Sequence, residues 1–159
     1  MKRSTITKTF TLAAIAAVGM GLAPTARAAE KGCATWTLLG TFSRLDTGTV
    51  LASPGGAGPV AYVGTFTFDG NGNVTGATTY SISGIIGTGT QTGTYTVNSD
   101  CTGTITVQGA SGRSSHYSFV IDDNGNGFQY ICTDSTPPTF LIVYTGTARR
   151  QFPVGDWRQ

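Results

Sequence analysis

The sequence predicts an all-β protein, built as an antiparallel up-and-down barrel of about eight strands. Apolar and polar residues alternate with a period of two along most of the chain, which is typical of strands with one buried face. The connections are alternately tight and loose, and the tight ones, rich in Asp, Asn and Gly, span 69–73, 98–102 and 122–126. Because strands of a meander alternate in direction, we expect the tight turns at a closed base and the loose connections at an open rim.

The strands are predicted in order from residue 34 onward. The first covers 34–43, and a long connection over 44–59, rich in Pro and Gly near its end, is expected to be a flexible flap at the rim. Alternation then predicts seven strands, over 62–68, 74–82, 94–97, 104–107, 117–121, 128–132 and 139–147. The looser connections between them are expected over 84–90, 109–115 and 133–138. Outward positions are mostly Thr and Ser, whose short polar side chains suit the wet face of a sheet.

Each strand has one apolar face, and closing the sheet on itself buries all of these faces together. Closure also removes the exposed sheet edges that promote aggregation. The alternative is a β-sandwich of two sheets. We favour the barrel because the connections are local throughout, whereas sandwiches use Greek-key crossings.

The start of the chain is predicted to be a secretory signal peptide over 1–28. A positively charged start precedes an apolar run over 12–23, and 26–28 reads Ala-Arg-Ala, which fits a cleavage site. The apolar run is about a dozen residues long, shorter than the about 18 residues that a membrane span needs. We therefore expect a single barrel domain over 29–159, exported to the periplasm or the extracellular space.

The charge balance gives no indication of a nucleic-acid partner. The full chain has 10 Lys and Arg against 8 Asp and Glu, a net charge of +2. Four of the positive residues lie in the predicted signal peptide, so the remaining chain has six positive and eight negative residues, a net charge of −2. A slightly acidic domain offers no basic surface for nucleic acid or for an anionic membrane, and we expect neither partner.

Three segments carry a recognisable pattern: 60–76 (VAYVGTFTFDGNGNVTG), 93–104 (GTYTVNSDCTGT) and 146–151 (GTARRQ). They resemble a large group of uncharacterised secreted bacterial proteins. The resemblance covers nearly all of the chain after the signal peptide, and it implies a calycin-like (lipocalin-like) small barrel without a particular activity. Trp36 and the Arg149–Arg150 pair are similar to the Trp–Arg closure of lipocalins, although no G-x-W precedes the first strand.

The three cysteines predict at least one disulfide, because an exported chain enters an oxidising compartment. Three pairings are possible. Cys33 precedes the first strand and Cys101 lies in a tight turn, so both belong to the base, whereas Cys132 ends a strand that runs toward the rim. We therefore favour a Cys33–Cys101 disulfide. Cys132 is interpreted as a buried thiol, with a reactive or intermolecular thiol as the alternative.

No pattern predicts catalysis, a cofactor or a metal site. The segment 122–127 matches the start of an EF-hand loop, but Thr133 stands where the bidentate Glu is needed, so a hairpin turn is the better interpretation. His116 is predicted to point outward near Arg113, without a catalytic partner. No pair of inward carboxylates can be placed for acid–base chemistry. We therefore expect no enzymatic activity.

Two hypotheses remain for the barrel interior, which must hold many large inward side chains. An eight-stranded barrel is just wide enough to be filled by side chains or to hold one small ligand. In the first hypothesis a small apolar or amphipathic molecule binds at the rim, in a pocket lined by Tyr62, Tyr80, Ile82, Val107, Tyr117 and Phe140. In the second hypothesis the rings fill the barrel, and the protein has a structural or surface-associated role.

Overall fold

The computed structural model describes residues 32–136 and 141–152, which form a closed barrel of eight antiparallel strands in chain order. The strands are β1 (Gly40–Ala52), β2 (Gly58–Phe68), β3 (Asn73–Ile82), β4 (Ile85–Val97), β5 (Thr102–Gly109), β6 (Ser114–Asp122), β7 (Gly127–Thr136) and β8 (Leu141–Arg150). The first strand pairs with both β2 and β8, which closes the barrel. The predicted up-and-down barrel is therefore confirmed, and the sandwich alternative is wrong. The predicted signal peptide over 1–28 lies outside the described residues.

The two-residue alternation separates the inner wall from the outer wall. In β5 the residues Gly103, Ile105 and Val107 are buried, and the threonines between them are exposed. Outward threonines of neighbouring strands also contact one another: the hydroxyl oxygens of Thr96 and Thr104 lie 2.9 Å apart. Such cross-strand pairs stabilise a sheet from its wet side.

The first strand differs from its predicted position. Residues Thr35–Leu38 form a short 3-10 helix beneath the barrel, and the strand begins only at Gly40. It then continues to Ala52, so the predicted flap over 44–59 is wrong: only 53–57 connects β1 to β2. The alternation of inward and outward residues does continue through this stretch, but it is not apparent in the sequence because two of the inward residues, Arg44 and Asp46, are charged.

The connection predicted over 84–90 is also wrong, because β4 begins at Ile85. Ser83 and Gly84 alone join β3 to β4, with φ angles of 50° and 88°. Positive φ at both central residues is the geometry of a tight hairpin turn whose twist matches that of the strands. The rim is therefore less open than the alternation of tight and loose connections predicted. Among the described residues, no helix is long and apolar enough to cross a membrane.

The base of the barrel is sealed by the 3-10 helix and a disulfide. Cys33 and Cys101 form the favoured disulfide, with their Cα atoms 4.9 Å apart. The amide of Cys33 also donates a hydrogen bond to the carbonyl of Ser99 at 3.2 Å. Leu38 of the helix is fully buried, so the helix acts as a plug that the disulfide holds against the lower end of the strands.

Arg150, at the end of β8, completes this seal. Its guanidinium donates hydrogen bonds to three main-chain carbonyls of the base, among them Thr37 at 2.9 Å and Gly125 at 2.8 Å. It also lies 4.5 Å from the ring centroid of Phe42, which is a cation–π contact. Trp36 is 67% exposed. Trp36 therefore does not close the base in the manner of a lipocalin. Arg150 closes it instead, through its contacts with Phe42 and the backbone.

The lower half of the barrel is filled with phenylalanine rings. Phe42, Phe66, Phe68 and Phe128 are each at most 1% exposed. Phe42 and Phe68 meet edge to face with ring centroids 5.6 Å apart, and Phe68 and Phe128 do so at 5.7 Å. Edge-to-face contacts of this kind pack a narrow interior densely. Any internal space must therefore lie in the upper half.

Candidate ligand-binding cavity at the rim

A cavity of about 600 Å³ occupies the upper half of the barrel, mainly along β3 to β6. We call it the rim cavity. Its wall combines tyrosines, aliphatic side chains, small residues and two arginines: Arg44, Tyr62, Thr78, Tyr80, Ile82, Thr88, Gly89, Thr90, Gln91, Val107, Gly109, Ala110, Ser111, Arg113, Ser115, Tyr117 and Tyr144. On the opposite side of the rim, Val50 and Val60 pack with Tyr62, Ile82 and Ile142, which closes that sector.

The inner face of β4 lacks side chains at three of four successive inward positions: Gly87, Gly89, Gln91 and Gly93. A Cβ at Gly87 would come within 2.4 Å of the Tyr80 ring, and one at Gly93 within 1.9 Å of the Thr106 carbonyl oxygen. These two glycines are needed for close packing. A Cβ at Gly89 would instead meet nothing within 4 Å. Gly89 is therefore the position from which a side chain would enter the cavity.

Five of the six predicted binding residues line the rim cavity. They share an inward parity on their strands, which brings them to one wall: Tyr62, Tyr80, Ile82, Val107 and Tyr117. The sixth, Phe140, lies outside the described residues. Whether these side chains bind a ligand stays a prediction.

Two further residues of the site, Arg44 and Asp46, were missed by the sequence analysis. They occupy successive inward positions of β1 and are 3% and 0% exposed. The Nη2 atom of Arg44 donates to Oδ2 of Asp46, and the hydroxyl of Tyr130 donates to Oδ1 of the same carboxylate. The available signal was the continuing alternation over 42–50, in which charged residues stand at inward positions.

Arg44 borders the rim cavity from below, whereas Asp46 is not part of the cavity wall. The guanidinium carbon of Arg44 lies 4.4 Å from the ring centroid of Phe66 and 5.8 Å from that of Tyr62. Its Nε and Nη1 atoms are buried and have no hydrogen-bond partner among the described residues. The cation is thus packed between rings, with only part of its donor capacity used.

The burial of this cluster changes its acid–base behaviour. Burial raises the pKa of Asp46 above its ordinary value, while Arg44 and the hydrogen bond from Tyr130 act in the opposite direction. For Arg44, burial alone would lower the pKa, but the contributions of Tyr130 and Asp46 outweigh burial. The pKa of Arg44 is therefore raised, and the guanidinium stays charged. The cluster is therefore a buried ion pair whose cation lies on the cavity side.

Tyrosine hydroxyls form the polar part of the cavity wall. The hydroxyl oxygens of Tyr117 and Tyr144 lie 2.6 Å apart in a buried hydrogen bond. Burial raises the pKa of both phenols, and it raises the pKa of Tyr62 to about 12. These hydroxyls are therefore protonated at neutral pH and can donate hydrogen bonds.

Alkaline titration is expected to unfold the barrel. A free tyrosine titrates near pH 10, as does one in the unfolded chain. Burial raises the pKa of Tyr62 to about 12, and it also raises the pKa values of Tyr117, Tyr130 and Tyr144. The folded protein holds these protons more tightly, so their contribution to stability is complete below about pH 10 and is lost as the pH rises through the raised values.

Phenolate absorbance and circular dichroism, followed together from pH 8 upward, test this expectation. We expect the phenols of these four tyrosines to ionise above about pH 10, together with loss of the β-sheet signal. Ionisation of all 6 tyrosines near pH 10 with an unchanged fold would show that the cluster is open to solvent.

The remaining chemically notable residues take structural positions. Cys132 is 6% exposed, its thiol donates to the carbonyl of Asp134 at 3.5 Å, and burial raises its pKa. It is therefore a buried thiol, as predicted, and not a ready thiolate. His116 lies on the outer wall, where its Nδ1 atom is 3.0 Å from the hydroxyl oxygen of Thr106.

The segment 122–127 forms the connection between β6 and β7, in agreement with the hairpin interpretation. The carboxylate of Asp123 pairs with Arg149 at 3.1 Å, and that of Asp122 accepts a hydrogen bond from Gln129 at 3.3 Å. Within residues 32–136 and 141–152, no three His, Cys, Asp or Glu side chains gather closely enough to hold a metal ion.

A second concave surface lies on the outer wall. It is bordered by Leu45, Val120 and Ile131, which are 57%, 48% and 44% exposed, and the described residues that line it include none with a charge. The rim cavity differs because it is enclosed by the barrel wall and combines apolar surface with convergent polar groups. That combination is typical of small-molecule sites.

Comparison of the chain with protein-family models and with curated proteins found no match. Among solved structures it is similar to a de novo designed fluorescence-activating β-barrel, at 15% identity and a TM-score of 0.50, over 74% of this chain and 96% of that one. It is also similar to the redesigned barrel mFAP1 bound to DFHBI (17%, TM-score 0.51, 73% and 97% covered). A third similar structure is EF1p2_mFAP2b bound to DFHBI (16%, TM-score 0.54, 77% and 98%).

These identities show a shared barrel fold alone. The chain is thus a small closed β-barrel of eight strands. The resemblance to secreted bacterial calycin-like proteins stays a prediction.

Proposed function

We propose that this protein is an exported, non-enzymatic calycin-like barrel that binds a small apolar or amphipathic molecule in the rim cavity. The carrying observation is a cavity of about 600 Å³ above a filled base. This volume lies within the range of about 300–1,000 Å³ that is usual for small-molecule sites. Two barrels of the same fold are bound to the small molecule DFHBI, which supports the view that a barrel of this size can hold one guest.

The division of the barrel also supports a binding role over the structural alternative. A purely structural barrel has no need for a glycine at position 89, where a larger side chain would enter open space, fill the interior and stabilise the fold. The Cys33–Cys101 disulfide supports export, because disulfides persist in oxidising compartments.

Gly89→Phe is expected to block binding without destabilising the barrel. The new ring enters space in which a Cβ meets no atom within 4 Å, and the backbone at Gly89 needs no positive φ. We expect an uncharged environment-sensitive dye to bind the wild type saturably at 1:1, and to bind Gly89→Phe at least about tenfold more weakly. Fluorescence titration gives the affinity, and thermal unfolding gives the stability.

Thr92→Phe is the matched control, because Thr92 faces solvent on the outer wall of the same strand. It should bind the dye like the wild type. Equal binding by Gly89→Phe and the wild type would place the dye outside the rim cavity. If no dye and no component of a mixed-lipid extract bound the wild type saturably, the structural alternative would be favoured instead.

A further inference from the structure

We infer that the ligand of the rim cavity is an amphipathic anion whose acidic group binds at Arg44 while its apolar body extends toward the rim. This inference rests on the proposed function. Charge is its first support: among the described residues, the charged side chains that line the cavity are Arg44 and Arg113, and the lining includes no Asp or Glu. Asp46, which balances Arg44, lies outside the cavity wall.

The second support is the unused donor capacity of Arg44. A guanidinium has five N–H donors, and of the Arg44 nitrogens only Nη2 donates to Asp46. Arg44 is only 3% exposed, and its Nε and Nη1 atoms have no hydrogen-bond partner among the described residues. Buried polar groups are normally paired, so these donors call for an acceptor. A carboxylate matches the forked geometry of a guanidinium.

The third support is the distribution of polar and apolar groups along the wall. Near Arg44 lie the protonated hydroxyls of Tyr62, Tyr117 and Tyr144, of which those of Tyr117 and Tyr144 form a hydrogen bond with each other. The aliphatic part of the wall is formed by Ile82 and Val107. A ligand with an acidic head and an apolar chain or ring system satisfies both zones at once, whereas a neutral apolar molecule leaves the buried donors unpaired.

Two fluorescent probes that differ only in charge test the inference: cis-parinaric acid and its methyl ester. We expect the wild type to bind the acid at least about tenfold more tightly than the ester. The acid preference should disappear in Arg44→Met/Asp46→Asn, which removes the ion pair without leaving an unpaired charge. It should decrease in Arg113→Gln. Arg149→Gln is the control, because it removes an arginine that is 65% exposed at the base, and it should keep the full preference.

The outcomes separate this inference from the proposed function. Equal affinity of the wild type for acid and ester overturns the inference but leaves a ligand-binding barrel. Failure of both probes to bind overturns the inference, and it overturns the proposed function as well if no dye and no component of a mixed-lipid extract binds either. Full acid preference in the Arg44→Met/Asp46→Asn and Arg113→Gln variants would overturn the assignment to the rim cavity. The comparison of acid and ester on the wild type needs no variant, so it stands even if the double variant does not fold.

Discussion

Arg44→Met is expected to lower the free energy of unfolding by about 3–5 kcal/mol, because it leaves the carboxylate of Asp46 in the core without its cation. Asp46 is fully buried, and its remaining hydrogen-bond donor is the hydroxyl of Tyr130. Urea unfolding at pH 7, followed by circular dichroism, measures the loss. A loss below about 1 kcal/mol would mean that water reaches the carboxylate in the variant.

Two comparisons isolate the ion pair. Arg44→Met/Asp46→Asn should be more stable than the single variant, because no charge is then left unpaired. Arg149→Gln breaks an exposed pair with Asp123 and should change the stability by no more than about 1 kcal/mol. A double variant no more stable than Arg44→Met would assign the loss to packing around the long arginine side chain.

The pH dependence of Arg44→Met gives an independent check. Burial raises the pKa of Asp46 in the folded protein, so the folded state binds this proton more tightly than the unfolded chain does. The stability gained from that proton is present below the pKa of Asp46 in the unfolded chain, which is near 4. It is lost as the pH rises through the higher pKa of Asp46 in the folded protein. Arg44 lowers the pKa of Asp46, so its removal raises this pKa above that of the wild type, and the penalty of Arg44→Met should therefore be smaller at pH 4 than at pH 7.

Loss of the Cys33–Cys101 disulfide is expected to lower the free energy of unfolding by about 2–5 kcal/mol. The bond closes a loop with a sequence separation of 68 residues, for which the chain-entropy account predicts about 4 kcal/mol. The reason is that the disulfide restricts the unfolded chain and ties the 3-10 helix to the base. Cys33→Ser/Cys101→Ser, compared with the wild type by urea unfolding, measures the effect.

Reduction of the wild type should reproduce the effect of the double substitution. Cys132→Ala is the control, because Cys132 is a free, buried thiol and the disulfide remains intact in this variant. Reduction should destabilise Cys132→Ala and the wild type equally. If reduction destabilised the wild type but not Cys132→Ala, then Cys132 would take part in the stabilising disulfide, and the pairing at the base would be wrong.

Residue alternation and strand direction were enough to predict the fold class and most of one wall of the cavity. Inward residues of a strand share a parity, so alternation alone placed Tyr62, Tyr80 and Val107 on the inner face. Strand direction alone placed Cys33 and Cys101 at the same end. These inferences hold because both depend on local backbone geometry, which repeats every two residues and reverses at every hairpin turn.

How far the barrel is filled, and which charges are buried, could be seen only once the strands were placed around a common interior. Arg44 and Asp46 interrupt the apolar pattern of β1, so the local signal predicted an exposed flap, whereas each charge is buried by pairing with the other. Likewise, Gly89 sits in a segment predicted to be a loose connection, and its empty surroundings result from contacts between residues far apart in the chain. Pairing and cavity volume are properties of several strands together, so no periodicity within one strand contains them.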